Sequence, residues 1–548
     1  MHRILPRFVL VMGLWVTGPW LVAQALLPDV QERRLDNGVR ILLVERPGLE
    51  SVRAQLFLMG GQADTGVLPS PAATLLARCL FSPPVAGEAR KAQELESLLK
   101  WEEGIYESLR TEKLKRDRQP GLQEGPETRD LEMVHRQILD RFHGLGSEPD
   151  ALEAMAAGRR ESRVDADVIA YGADIPAGAL GAWSDYIANR LRDPLLVRYP
   201  LERQRLLVPG DVAVEGARHA LDVVLSTALS GQRYAQVAYW EPATVESLTW
   251  SAMREYARRA VAPDRIVVVL VGGVRMTDAF PLLQTSFGSL GQGRSNGQRP
   301  DDRSIASTTG AGSRRVQTSA PGKSRLIMGW RIPPRTHPDS QALLVLAKLL
   351  EGGELSQMAM DVRMHVPGGK DTNLLLVEGM NEGQQSLSAL EQLVRGEIIR
   401  LQRGNFKDGE IRRAQRQVEV DQVMSQEDAA TLADALGEAQ CQGGDWRLAF
   451  RALQVKRDYP AQEIQGLALK YLVSEGSIVA MLEPDPILQP QDQVETETAR
   501  VLTRILESRL ENRGKVEAIV REALKQLRML SLREREQTLR LLQSQVKP

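Results

Sequence analysis

The stretch that decides the fold reads RLDNGVRILLV at residues 34–44, SVRAQLFLMGG at 51–61 and PAATLLARCLF at 71–81. Asn37-Gly38 is a dipeptide that accepts the positive backbone angles of a tight hairpin, so a strand ends near Arg34 and a second runs from Val39 to Val44. Ser51 to Met59 alternates in part and stops at Gly60-Gly61. From Pro71 to Phe81 the apolar residues Leu75, Leu76, Cys79 and Leu80 recur at the spacing of one helix face. A helix laid on a sheet follows from that order.

Toward the N-terminus, Arg3 and Arg7 precede an apolar run from Phe8 to Val22, broken by Gly18-Pro19 and followed by Ala23-Gln24-Ala25. This is the pattern of a secretory signal cleaved after Ala25, and the run is short for a bilayer span. Residues 1–25 are therefore expected to be a signal peptide, and the mature chain to be exported, periplasmic or secreted, with no membrane span. The 548 residues exceed what one hydrophobic core holds and imply three or four units. With 70 basic and 71 acidic residues the net charge is −1, which supplies no overall field for nucleic acid or anionic lipid. Proteins or peptides are the expected partners. Cys79 and Cys441 are the two cysteines, too few for a disulfide framework or a cysteine-rich metal site. Cys79 reads as a buried thiol in an apolar helix, and a single bridge to Cys441 stays open.

Toward the C-terminus, residues 87–143 turn charged, with Leu and Ile at helical intervals and breaks at Gln119-Pro120-Gly121 and Gly125-Pro126. They read as a solvated insertion of two helices in which His135 and His143 are surface residues. A strand at Val168 to Ile175, a helix at Ala177 to Arg192, a helical stretch at Ala213 to Ser230 and a buried strand at Arg265 to Val271 complete a first half, 29–288. Residues 289–322, rich in Gly, Ser, Thr and Arg, read as a flexible linker and predict early proteolysis there. A second half, 323–488, repeats strand, turn and helix: Ser324 to Ile332, Pro333-Pro334, and Ser340 to Leu350 before Gly352-Gly353. Strand Asn373 to Met380, helices Ser386 to Arg403, Asp408 to Gln422 and Ala461 to Leu472, and strand Ser477 to Leu482 follow. Residues 495–548 form a charged helical tail, read as a hairpin that is either solvated or docked on a partner. The expected class is α+β, with two related halves.

The stretch from Arg34 to Phe81 resembles the opening of the insulinase and pitrilysin zinc metallopeptidase family, in which such a hairpin and a Gly-ended strand precede a helix bearing the inverzincin motif His-x-x-Glu-His. Gly181-Ala182-Trp183, Asn189-Arg190-Leu191, Asp193-Pro194 and Leu201-Glu202-Arg203 are similar to further family segments, as are Ala262-Pro263 and Val271-Gly272-Gly273-Val274. In the second half, Lys348 to Gly353 resembles the family's Leu-Gly-Gly helix end, and Ala468-Leu469-Lys470-Tyr471-Leu472 its late helix. The resemblance implies a mixed or antiparallel sheet covered by helices in each half and a clam-like chamber.

The catalytic residues the resemblance requires are replaced. The motif positions hold Thr74, Ala77 and Arg78, and the place of the third ligand holds Pro209, or Asp211 if the count slides by two. A hydroxyl, a methyl and a permanent cation cannot hold zinc or serve as general base. The substrate-holding Arg and Tyr of the family correspond here to Arg363 and Lys370, so the tyrosine is missing, and Arg363 is either a remnant of peptide binding or a surface charge. The six histidines, His2, His135, His143, His219, His337 and His365, offer no other ligand pair around a carboxylate. No Gly-x-Ser-x-Gly elbow occurs, and Cys79 has no placed histidine, although Arg78 beside it would favour a thiolate. No enzyme activity, no metal and no cofactor are expected. The resemblance implies a noncatalytic subunit that helps an active, zinc-binding homologue to enclose peptides; the alternative is a structural subunit of an envelope assembly.

Overall fold

The computed structural model describes residues 27–545 except 86, 89, 120–124, 147–153, 156, 208–220, 222–223, 230–232, 237–241, 292–313, 321–323, 359, 367–368, 381–385, 455–457, 485–492, 508–512 and 529–531. The expected signal peptide, Pro209 and Asp211 thus lie outside the described residues. The Asn37-Gly38 turn joins β1 (Val30–Arg34) to β2 (Arg40–Glu45), with Gly38 at φ 104°, where a side chain would strike Asp264. β3 (Ser51–Met59) and the helix Pro71–Phe81 have the bounds the periodicity gives.

The first sheet has six strands in the order β1-β2-β6-β3-β5-β4, with β4 Arg160–Val164, β5 Val168–Pro176 and β6 Ile266–Gly272. The second has five in the order β7-β11-β8-β10-β9, comprising β7 Arg314–Ala320, β8 Arg325–Ile332, β9 Asp361–Val366, β10 Asn373–Met380 and β11 Ile478–Pro484. Superposed in order, β2-β6-β3-β5-β4 and β7-β11-β8-β10-β9 share every pairing sense: the first pair is parallel and the rest are antiparallel. The α+β class and the two related halves therefore stand. The linker reading gives way at its C-terminal end, because Arg314–Ala320 is a strand paired with β11.

Each sheet has one face covered by its own half. In the first, Ile41, Leu56, Ile169, Val268 and Leu270 pack with helices Pro71–Phe81, Leu180–Leu191 and Trp250–Ala260. The opposite faces are covered by exchange. Helix Ala429–Gly443 of the second half sets Leu432, Ala433 and Leu436 against Val44, Phe57, Val267 and Val269 of the first sheet. Reciprocally, Val224, Leu225 and Ala228 of the first half pack on Ile327, Leu376 and Ala480 of the second sheet. The all-apolar β6, buried at every residue, is the consequence: a strand covered on both faces has no polar side. Sequence periodicity did not reveal helix 429–443, whose small residues weaken the apolar stripe. With these faces filled, the two halves form one interlocked body, and chamber walls are left to its remaining surfaces.

Two expectations for the appended elements change. The insertion does form two helices, Ala92–Arg118 and Pro126–Gly144, but His135 is not a solvated residue. Its Nε2 lies 2.9 Å from Oε1 of fully buried Glu102, which also pairs with buried Arg203 at 2.5 Å. His143 is exposed, as read. The tail is a bundle of three helices, Gln493–Glu507, Arg513–Arg528 and Leu532–Gln545, with its own core of Val516, Val520, Leu524 and Leu527, and is not a hairpin. Among the described residues no helix is long and apolar enough to cross a membrane.

Candidate functional site

Helix Pro71–Phe81 buries Ala72, Ala73, Leu75, Leu76, Cys79 and Leu80, which fixes its rotation. Thr74, Ala77, Arg78 and Phe81 then form the opposite stripe, at the three- and four-residue spacing of one helix face. Thr74 Oγ1 accepts a hydrogen bond from Gln62 Nε2 at 3.3 Å, Ala77 is buried, and Arg78 is exposed. Phe81 stacks on Tyr171 of β5 with centroids 4.1 Å apart. The helix end is held by Arg190, which donates to the carbonyls of Cys79, Leu80 and Ser82, and thereby satisfies groups that no helix partner can reach. Ser82 Oγ donates to the Arg78 carbonyl at 2.6 Å and lies 3.2 Å from Glu202 Oε1, with which Arg205 pairs at 2.6 Å.

Burial pushes the Cys79 thiol well above its ordinary range, Glu202 adds to that, and Arg190 and Arg78 only partly oppose it. Cys79 is therefore the buried thiol that its apolar helix implied, and Arg78 beside it does not make it a thiolate. Cys79 and Cys441 are both buried free thiols, so the bridge left open by the sequence is not formed. Among the described residues no three His, Cys, Asp or Glu side chains gather where a metal ion would be held.

Arg363 and Lys370 are not brought together. Arg363, on edge strand β9, pairs with Glu378 and Asp361, and Glu378 also takes Arg325. Lys370 lies before the first residue of β10 and donates its backbone N–H to Asp167 Oδ2 at 2.5 Å. That hydrogen bond belongs to a junction between the halves that the sequence reading missed. Arg233 pairs there with Asp64 at 2.8 Å, Asp167 at 2.9 Å and Asp371 at 2.8 Å, while the Tyr234 hydroxyl lies 3.1 and 3.0 Å from the Asp167 oxygens. Its members come from distant segments, so no local spacing announces it. A second junction sets Arg163 of β4 against Asp165, Asp434 at 3.0 Å and Glu438 at 2.7 Å.

Arg163 thus meets three carboxylates, of which Glu438 also pairs with Arg335 at 3.5 Å. Burial, opposed by Arg163 but reinforced by Glu438 and Asp434, pushes the Asp165 carboxyl up to about 6. The folded chain then binds this proton more tightly than the unfolded chain, whose carboxyl titrates near ~3.9. The stabilisation this gives is fully present below the unfolded value and is lost as pH rises through about 6. As pH falls from 7.5 to 5, the unfolding free energy of the unaltered chain is expected to rise relative to that of Asp165→Asn, by less than about 1 kcal/mol because the side chain is partly exposed. Parallel pH profiles for the two chains would contradict this.

Residues 247–418, from helix Trp250–Ala260 through helix Asp408–Met424, match the family model described as the peptidase M16 inactive domain. Over that segment the chain is similar to the M16, or insulinase, peptidases. No curated protein matches it by sequence. Among solved structures, the chain is similar to a peptidase M16 inactive domain from Pseudomonas fluorescens, with 13% identity, a TM-score of 0.59, and 83% of this chain and 98% of that one covered. It is similar to a chain of complex III2 from Candida albicans, with 11% identity, a TM-score of 0.57 and coverage of 83% and 95%. It is also similar to the periplasmic protease PqqL from Escherichia coli, with 13% identity and a TM-score of 0.55; 84% of this chain covers 48% of that one. The chain thus spans about half the length of PqqL.

Proposed function

We propose that the chain is an exported, noncatalytic subunit that binds extended peptide segments and assembles with a zinc-binding homologue. One observation carries the reading: the helix Pro71–Phe81 is fully built and core-packed, yet its stripe opposite the core holds Thr74, buried Ala77 and exposed Arg78 in place of metal ligands and base. The helix packs against β4, the last strand of its sheet. Asp165 bonds inward to Val168, and Arg159 accepts from Asp174, so the alternation of an antiparallel ladder turns the backbone groups of Ser162 and Val164 outward. Such an edge accepts an added strand through main-chain hydrogen bonds, without zinc. Since the second faces of both sheets are filled, the enclosing wall opposite β4 is supplied by the partner body. The coverage of half of PqqL supports the same arrangement, in which a second unit completes the enclosure.

The purified chain is expected to retain no zinc and to hydrolyse no peptide, and Thr74→His, Ala77→Glu and Arg78→His together to restore neither, because Pro209 supplies no third ligand. Co-expression with the homologue is expected to raise the homologue's peptidase activity, and affinity purification from the native envelope to recover the two together. Stoichiometric zinc with chelator-sensitive cleavage would refute the noncatalytic reading. Full activity of the homologue without this chain would refute the subunit reading.

The likeness to a chain of complex III2 supports the second reading, a structural subunit of an envelope assembly with no part in proteolysis. Recovery of the chain in a complex that contains no peptidase would favour it.

A further inference from the structure

Arg78 occupies an unusual electrostatic position. Its side chain is exposed, and among the described residues it makes no hydrogen bond or ion pair. The other arginines around the end of the same helix are engaged. Arg190 donates to the carbonyls of Cys79, Leu80 and Ser82, Arg198 donates to Pro83 O at 2.8 Å, and Arg205 pairs with Glu202 at 2.6 Å. Two carboxylates act on this cluster: Glu202 is buried and paired with Arg205, and Glu88 acts on Arg198. The surface at this helix end therefore carries an excess of positive charge, and Arg78 is its uncommitted member.

The position of Arg78 relative to the sheet edge gives that charge a use. Arg78 stands between Thr74 and Phe81 on the outer stripe, Phe81 stacks on Tyr171, and Tyr171 lies opposite exposed Ser162 of β4 in the ladder. A strand added to β4 would pass beside this stripe. We propose that Arg78 recognises a carboxylate on an extended peptide bound along the edge of β4, so that acidic peptides, or peptides with a free C-terminus, are selected. This rests on the reading that β4 is where the peptide binds. The guanidinium is planar and permanently charged, and it offers paired N–H donors that match the two oxygens of a carboxylate.

The test uses the mature chain and three fluorescein-labelled peptides of one extended Thr/Ser sequence: an amidated form without acidic residues, the same form with one central glutamate, and a form with a free C-terminal carboxylate. Fluorescence anisotropy is expected to give about fivefold tighter binding for one or both carboxylate peptides than for the amide, the range of an exposed charge-assisted pair. The form that gains identifies whether the side chain or the terminus is read. Arg78→Gln is expected to bring all three within about twofold. Ser162→Pro, which removes an outward N–H that β5 does not use, is expected to abolish binding of all three while leaving the thermal midpoint close to that of the unaltered chain. Equal affinities in the unaltered chain, or a preference that survives Arg78→Gln, would overturn the carboxylate proposal and leave the edge reading intact if Ser162→Pro still abolishes binding. Binding that is indifferent to Ser162→Pro, or no binding by any peptide, would overturn both.

Discussion

Glu102→Ala is expected to destabilise the chain by about 3–5 kcal/mol, the scale on which removal of one partner of a buried ion pair leaves the other charge uncompensated. The stranded charge is Arg203, which is 3% exposed and lies with its guanidinium 3.3 Å from the Tyr106 ring centre and 3.4 Å from the Tyr199 hydroxyl. Neither contact replaces the 2.5 Å pair with Glu102. Tyr106 and Glu102 belong to the inserted helix Ala92–Arg118, His135 to its neighbour, and Arg203 to the body helix Tyr199–Leu207, so the network fastens insertion to body. Glu102→Gln keeps the shape and one acceptor, and is expected to cost less, about 1–3 kcal/mol. Urea denaturation gives the energies, and limited proteolysis shows whether the insertion loosens first. A loss below about 1 kcal/mol for Glu102→Ala would mean that this pair does not hold the insertion down.

Gly437→Ala is expected to reverse the usual sign of that substitution. In a helix interior alanine is favoured over glycine by about 1 kcal/mol. At Gly437, however, an added Cβ would lie 2.1 to 2.5 Å from atoms of the Phe57 ring, itself fully buried in β3. The ring cannot yield without disturbing the first sheet, so the exchanged helix must lift, at a net cost of about 1–3 kcal/mol. A double-mutant cycle isolates the contact. Phe57→Leu alone opens space and destabilises, but with Gly437→Ala the sum is expected to fall short of additivity by about 1 kcal/mol or more. Strict additivity would show that helix Ala429–Gly443 does not lie on Phe57, and the interlocking of the halves would fall with it.

Arg163 marks a limit of sequence reading at the same interface. Its partners Asp434 and Glu438 stand on the exchanged helix, and Gln55 of β3 also donates to Asp434 Oδ1 at 2.6 Å. Nothing local to residue 163 distinguishes a charge that is neutralised across the molecule from one that is solvated. His135 was misread for the same reason, and Arg233, paired with Asp64, Asp167 and Asp371, was not noticed at all. Arg363 and Lys370 show the converse. The family resemblance invited a shared role, yet one is committed to Glu378 and the other lies just before β10.

By itself the sequence determined the elements whose causes are local. Asn37-Gly38 fixed a hairpin through turn chemistry, the spacing of Leu75, Leu76, Cys79 and Leu80 fixed the helix Pro71–Phe81, and the unbroken apolar run of β6 required cover on both faces. It also placed Thr74, Ala77 and Arg78 on one helix stripe, because a helix sets residues three and four apart on the same side. Only the tertiary structure decided which segment supplied the second cover of β6, which carboxylates neutralised which arginines, and that Arg78 has no partner among the described residues beside the edge of β4. Periodicity states that a face must be buried, but burial and charge pairing are satisfied by whatever the chain brings into contact, and in this chain the partners are remote in sequence.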